Sequence, residues 1–164
     1  MFYKKQGFPE VNEIVLCTVK KILFHSIFVN LDEYNKEGMV HISEVSPGRI
    51  RNLRDFVRED KKIVCKVLSI NKEKGHIDLS LRRVSPTQKI NKLQEYKQEE
   101  KSENILKLIS KDLKINLEDI YKEAGYKILE TYPSLTSCFQ DIVNSNFKLS
   151  ILKIKKNIKS YFII

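Results

Sequence analysis

The chain has 164 residues, enough for one generous domain or two small ones with modest cores. Its 30 Lys plus Arg against 21 Asp plus Glu leave a formal charge of +9, an excess that points to a polyanionic partner such as RNA, DNA or anionic lipid; a basic protein with no such partner is the plain alternative. No apolar run reaches membrane-spanning length, the N-terminus lacks a signal-peptide core, and Cys17, Cys65 and Cys138 have neither zinc spacing nor the even number of a disulfide framework, so a cytoplasmic chain with reduced thiols and no metal is expected.

From Ile14 to Leu81 the pattern is short β-rich segments separated by turn signals. Val15, Cys17 and Val19 alternate with Leu16, Thr18 and Lys20 in a first strand, the odd positions facing the core. Ile27, Val29 and Leu31 point one way in a second, with Phe28 and Asn30 the other way. The third strand is Gly38 to Ile42, with Val40 and Ile42 on one side and Met39 and His41 on the other. A fourth runs from about Lys62 to Ile70. A turn at Lys72-Glu73-Lys74-Gly75 leads into a fifth from His76 to Leu81, with glycine where a positive φ is needed. Five strands with a long excursion between the third and fourth describe an oligonucleotide-binding β-barrel.

That excursion carries the clearest chemical signal. Ser43, Ser46, Pro47 and Gly48 are turn formers, so the backbone leaves the sheet and runs as a loop bearing Arg49, Arg51, Arg54 and Arg58, with only Asp55 opposing them before Glu59. Cations held on a loop over a small barrel suit phosphate contact.

Beyond Pro86 the apolar period changes from two to about 3.6, and an all-helical second domain is predicted, giving domains 1–84 and 85–164. Thr87 to Lys101 is a charged helical run. Ser102-Glu103-Asn104 starts a further helix with Ile105, Leu108, Ile109 and Leu113 as its apolar stripe. Asn116 caps a third helix that ends at Tyr132-Pro133, and Ser134 to Val143 forms a fourth. Phe147 to Ile164 is an amphipathic tail with Lys148, Lys155 and Lys159 opposite its apolar face, read as a solvated face, an RNA contact or a membrane-surface helix. Residues 1–84 hold 16 basic and 11 acidic side chains and residues 85–164 hold 14 and 10, so both halves can face RNA. No nucleophile–base set, paired acid and base, phosphate-binding glycine loop or convergent metal ligands stand at motif spacing, so no catalysis and no cofactor are expected.

Ile14 to Leu81 resembles an S1-type RNA-binding domain, a variety of the oligonucleotide-binding barrel. More narrowly, Gly7 to Val11, Leu31 to Asn35, Lys36 to Val40, Ser43 to Ser46 and above all Lys72 to Pro86 are similar to the alpha subunit of translation initiation factor 2, archaeal or eukaryotic. Ser102 to Leu113 and Asn116 to Tyr132 resemble that subunit's second, helical domain. The resemblance implies a non-catalytic subunit of a heterotrimer, with beta and gamma subunits, that carries initiator methionyl-tRNA to the small ribosomal subunit in a GTP-dependent manner, GTP hydrolysis belonging to gamma. The family's third, gamma-binding domain does not occur within these 164 residues, so docking of gamma through it is not predicted from them.

The inherited residues are uneven. Phe28 and His41 match the aromatic and histidine positions of the S1 nucleic-acid face, where bases stack on flat rings. Lys74 and His76, at the last hairpin and the fifth strand, are taken with them as RNA contacts, as are Arg51, Arg54 and Arg49; Arg49 matches an arginine of the loop that approaches messenger RNA. His25 and Ser26 stand where many S1 domains have an aromatic and a glycine, which favours shape and phosphate recognition over base reading. Ser46 falls on the serine phosphorylated in eukaryotic members, but Pro47 and Gly48 replace two of the arginines that follow it there, and a plain turn residue is the competing reading. Two other functions share these features: the accessory RNA-binding domain of an RNA-processing enzyme, and a basic ribosome-associated protein.

Overall fold

Period-two alternation produces five strands, β1 (Ile14–Ile22), β2 (Ser26–Leu31), β3 (Lys36–His41), β4 (Lys62–Asn71) and β5 (His76–Ser80). They close into a barrel in the order β1-β2-β3-β5-β4, in which every neighbouring pair is antiparallel except β3 and β5. The structure, a computed structural model, describes residues 4–48 and 50–144. Arg49 and the amphipathic tail read from Phe147 to Ile164 lie outside the described residues. The chain divides into two compact units, residues 1–96 and 97–164, the first taking in the barrel and the opening turns of the first helix.

The barrel interior is filled by the alternate residues expected there: Val15, Cys17 and Val19, Ile27, Val29 and Leu31, Val40, Cys65 and Val67, Ile77 and Leu79. Each such side chain contributes roughly 1.5 to 3 kcal/mol relative to leaving it in water. A hydrogen bond with Cys65, followed by burial, pushes the Cys17 thiol well up and keeps it protonated, as befits a small apolar filler. One expectation fails. Leu16, assigned to the outer face, is as buried as its neighbours, and so is its register partner Val64 on β4. The helix α1 (Pro86–Leu113) sends polar side chains to this side of the barrel. Its Lys92 ammonium lies 2.8 Å from the Glu33 carboxylate, whose other oxygen accepts the Leu16 amide, and the Lys62 ammonium stands 4.8 Å from the centre of the Tyr96 ring. The outer face of β1 and β4 therefore carries two buried apolar side chains, Leu16 and Val64, beside the Glu33–Lys92 and Lys62–Tyr96 contacts to α1.

Barrel closure leaves no room at Gly38. An added Cβ would stand 2.7 Å from Leu79 Cδ1 and 3.2 Å from the Ile77 carbonyl oxygen, both on β5. Where β3 meets β5 in parallel, through Met39 with Asp78 and Val40 with Leu79, the strands approach closely only because this residue lacks a side chain. At the β4–β5 turn Gly75 has φ +68°, and the Asn71 side chain accepts the Lys74 amide at 3.0 Å.

In the second unit the sequence reading needs a correction. A single helix of 28 residues spans Pro86–Leu113, with no break at Ser102, and its buried positions are Glu99, Ser102, Glu103, Leu106 and Ile109, whereas Ile105 and Leu108 are exposed. The buried stripe begins with polar residues because they serve another helix. Glu99 accepts the Leu135 amide at 2.9 Å, the Thr136 amide at 3.1 Å and the Thr136 hydroxyl at 2.8 Å, and Ser102 lies 3.0 Å from that hydroxyl. Together with Ser134, whose hydroxyl oxygen accepts the Ser137 amide, Glu99 satisfies the orphan amides that open α4 (Leu135–Val143). Between them, α2 (Leu117–Ile120), a π-helical turn (Tyr121–Gly125) and α3 (Tyr126–Thr131) run on from Asn116, burying Ile120, Tyr121, Ala124 and Ile128. Tyr126 is exposed.

Gly38→Ala should lower unfolding stability by about 1 to 3 kcal/mol through overpacking at the β3–β5 seam, read as a lower urea midpoint; an unchanged midpoint would show that the seam can open at no cost. Glu99→Ala should lower stability by about 1 to 3 kcal/mol by stranding the amides of α4, with loss of helical circular dichroism at the lowest denaturant concentrations.

Candidate nucleic-acid interface

The long excursion after β3 is ordered by its apolar residues. Val45, Leu53 and Val57 are buried in the barrel core, and between these anchors the chain forms two short 3-10 turns, Ile42–Glu44 and Leu53–Asp55. Asn52 caps the second by accepting the Arg54 amide at 3.0 Å. Inward apolar anchors leave the intervening cations no direction but outward, and Arg51, Arg54 and Arg58 are all exposed. Arg49 lies outside the described residues.

A buried carboxylate fastens the start of this excursion. Glu44 receives two hydrogen bonds from Arg82, each at 3.2 Å, and two from Arg83, at 3.0 and 2.8 Å, while its carbonyl oxygen accepts the Leu81 and Arg82 amides. The Arg83 hydrogen bond, ahead of burial, which opposes it, and of Ser80 and Arg82, which assist, holds the Glu44 carboxyl at about 2, against an ordinary 4.5. His41 has a local task of the same kind. Its Nδ1 stands 2.8 Å from the Ser43 hydroxyl and accepts the Ser43 amide, so that it caps the first 3-10 turn, with its ring exposed.

The predicted contacts fall into two places. Phe28, Lys74 and His76 line one groove of about 490 Å³, together with Glu37, Gly38, Met39, Gly75, Ile77 and Asp78. Register explains the gathering: Lys21 pairs with Phe28, Phe28 with Met39, Met39 with Asp78 and Asp78 with Ser69, a single row across five strands on the outer face. A flat ring flanked by a thioether suits a nucleobase, but one lysine against two carboxylates makes this groove a weak place for phosphate. Neither His41 nor Arg51 lines it.

Arg54 belongs elsewhere. It lines a second groove, of about 450 Å³, with Asp55, Phe56, Val57, Arg58, Lys61, Lys62, Ile63 and Lys89. Of these only Arg54 stands among the individual RNA contacts predicted from sequence, with Arg58 entering there as one of the loop's cations. Phe56 is more than half exposed although its neighbours Leu53 and Val57 are buried, and the Lys61-Lys62 pair opens β4, signals visible only once the loop's inward face is known. Ser46 is half-buried and makes one weak bond to the Pro47 carbonyl, at 3.4 Å. Among the described residues no group of three or more His, Cys, Asp or Glu is placed to hold a metal ion, and no helix is long and apolar enough to cross a membrane.

A small closed barrel with an exposed phenylalanine on one outer face and a cation-bearing loop beside it is the frame of an RNA-binding module, and the S1 RNA binding domain family matches residues 9–82. The likeness extends through the helices. The chain is 41% identical over 149 residues, 90% of its length, to translation initiation factor 2 subunit alpha of Methanobrevibacter smithii, and 42% identical over 151 residues to that of Thermococcus kodakarensis. It belongs to the family of the alpha subunit of translation initiation factor 2. Among solved structures, the intact alpha subunit of aIF2 from Pyrococcus abyssi matches 95% of this chain with a TM-score of 0.86 at 38% identity, over 60% of its own length. A chain of an a/eIF2alpha–aDim2p–rRNA complex from Pyrococcus horikoshii matches 95% of this chain with a TM-score of 0.84 at 36% identity, over 94% of its own. The chain spans about half the length of the curated relatives it matches, 56% and 54% for the two named.

Because the folded state holds Glu44 ionised, its contribution is complete above pH 4.5 and is lost as pH falls through about 2. Glu44→Gln should cost about 2 kcal/mol at neutral pH once screening by the half-exposed arginines is allowed for. Below pH 4.5 the variant's urea midpoint should fall less steeply than the parent's; parallel pH profiles would remove the carboxylate from the account.

Proposed function

We propose that this chain is a non-catalytic, cytoplasmic RNA-binding part of translation initiation factor 2, with residues 1–84 as its S1 module and residues 85–164 as its helical module. In a GTP-dependent complex with beta and gamma subunits it helps hold initiator methionyl-tRNA for delivery to the small ribosomal subunit, where the loop beyond β3 faces messenger RNA. The observation that carries this reading is family-level identity over nine-tenths of the chain, running through barrel and helices alike. That a structural relative of nearly the same extent occurs in a complex containing rRNA supports RNA contact by these two modules.

Phe28, His41 and His76 act as base-side contacts, and Lys74, Arg49, Arg51 and Arg54 as phosphate-side contacts. The division follows from chemistry: flat rings attract bases without regard to ionic strength, whereas guanidinium groups displace condensed counterions and so make affinity fall with salt. Ser46, half-buried beside Pro47, is the position at which phosphorylation would add charge to the loop. Gamma carries the hydrolytic chemistry, and its contact with alpha involves more of the subunit than these residues.

With beta and gamma subunits and labelled initiator methionyl-tRNA present, Arg49→Ala/Arg51→Ala/Arg54→Ala should lower affinity and reduce the slope of log K against log salt by roughly one unit per lost phosphate contact. An unaltered slope would falsify the phosphate role of the loop. Phe28→Ala should weaken binding by about 1 to 3 kcal/mol with the slope unchanged; binding equal to the parent's would reduce Phe28 to a surface filler.

A further inference from the structure

The groove that contains Arg54 is more strongly charged than the one that contains Phe28, and the two share no lining residue. Arg54, Arg58, Lys61, Lys62 and Lys89 face Asp55 as the lone acid among its lining residues. Lys62 is engaged by Asp32 at 2.6 Å and by the Tyr96 ring. The other four cations have no ion-pair partner among the described residues, so their mutual repulsion is relieved only by solvent and salt. Lys89 adds a second cost. It lies in the opening turn of α1, whose first turn carries no acid, at the end of a helix where the backbone dipole disfavours a cation. Ser85 and Gln88 cap that same turn reciprocally, at 3.2 and 3.0 Å, so the turn is fixed and Lys89 has no looser backbone to retreat with. Phe56, 52% exposed, lines the groove among the cations, its ring exposed where the core could have taken an apolar residue.

We infer that this groove, between the 54–63 segment and the opening turn of α1, is a second RNA-binding site that grips a single-stranded phosphodiester backbone through Arg54, Arg58, Lys61 and Lys89 and stacks one base on Phe56. The inference rests on the RNA-binding reading above and extends it to a surface separate from the Phe28 row. A free phosphate would satisfy the cations but leave the exposed ring unused. A chain of nucleotides meets both, because its charges repeat along its length and each unit carries a flat face. The same combination predicts a binding mode that tolerates sequence, since no Asn, Gln, Ser or Thr side chain lines the groove to read base edges.

The test uses the full 164-residue chain with two labelled probes, an oligouridylate and initiator tRNA, and with polyglutamate as a competitor that carries charge without bases. Arg58→Ala/Lys61→Ala/Lys89→Ala, all exposed positions, should keep the parent's circular dichroism and reduce the oligouridylate salt slope by about two units, at roughly 0.7 per lost contact on a single strand. Phe56→Ala should weaken oligouridylate binding about tenfold with the slope retained. The charge-preserving Arg58→Lys variant should hold the slope. The inference is overturned if the triple variant keeps the parent's slope while Phe28→Ala still weakens binding, for then RNA uses only the other groove. It is equally overturned if polyglutamate displaces the oligouridylate at equal charge and Phe56→Ala has no effect, which would make the groove a docking place for acidic protein. Failure of initiator methionyl-tRNA to bind even with beta and gamma subunits added, with the oligouridylate results as expected, would strike the initiation reading and leave this site standing.

Discussion

Closure of the barrel at the β3–β5 seam is the constraint on which the rest of the molecule depends. Only two residue pairs join these strands, Met39 with Asp78 and Val40 with Leu79, and they meet in parallel across a glycine that has no space for a methyl group. Just beyond the seam, the Glu44 main chain and carboxylate take hold of Leu81, Arg82 and Arg83, so that the chain leaving β3 and the chain leaving β5 are tied at one point. The row of Phe28, Met39 and Asp78 on the outer face exists because β2, β3 and β5 are brought side by side there. The excursion that carries the arginines starts from the same knot.

The two grooves differ in their chemistry. Around Phe28 the surface is flat, partly apolar and nearly balanced in charge, which suits stacking and gives little field. Around Arg54 it is cationic with a single exposed ring. Both lie within the first unit, and the residues that shape the second come from the barrel excursion and the opening turn of α1. In the proposed RNA-binding role, an apolar and a cationic surface on one small domain would suit contact with bases at one and phosphates at the other.

The helical unit shows how one rotation of a helix can hide from a pattern. Ile105, Leu108 and Ile109 satisfy helical spacing, but the buried stripe is Glu99, Ser102, Leu106 and Ile109, one position around. Its first two members are polar, and a carboxylate on a core-facing stripe is costly unless donors await it. Here they do, in the amides and hydroxyl that open α4. The donor set lies some 36 residues away in sequence, so no local reading of α1 could supply it. The continuity of α1 through Ser102 follows from the same contacts.

Alternation of apolar and polar side chains was enough to determine five strands, their inward residues, the turn at Gly75 and a barrel with a cationic excursion, because a strand has only two faces and the period reports which one avoids water. The run from Lys72 to Pro86 likewise carried the family. What only the tertiary structure decided was grouping: that Phe28, Lys74 and His76 share a groove, that His41 caps a turn, and that Arg54 stands with Phe56, Arg58, Lys61 and Lys89. It also decided that Leu16 and Val64 are covered from outside. The physical reason is common to all of these. Register and helix docking are set by contacts between residues distant in the chain, and a periodicity of two or 3.6 describes one segment's faces without naming what will lie against them.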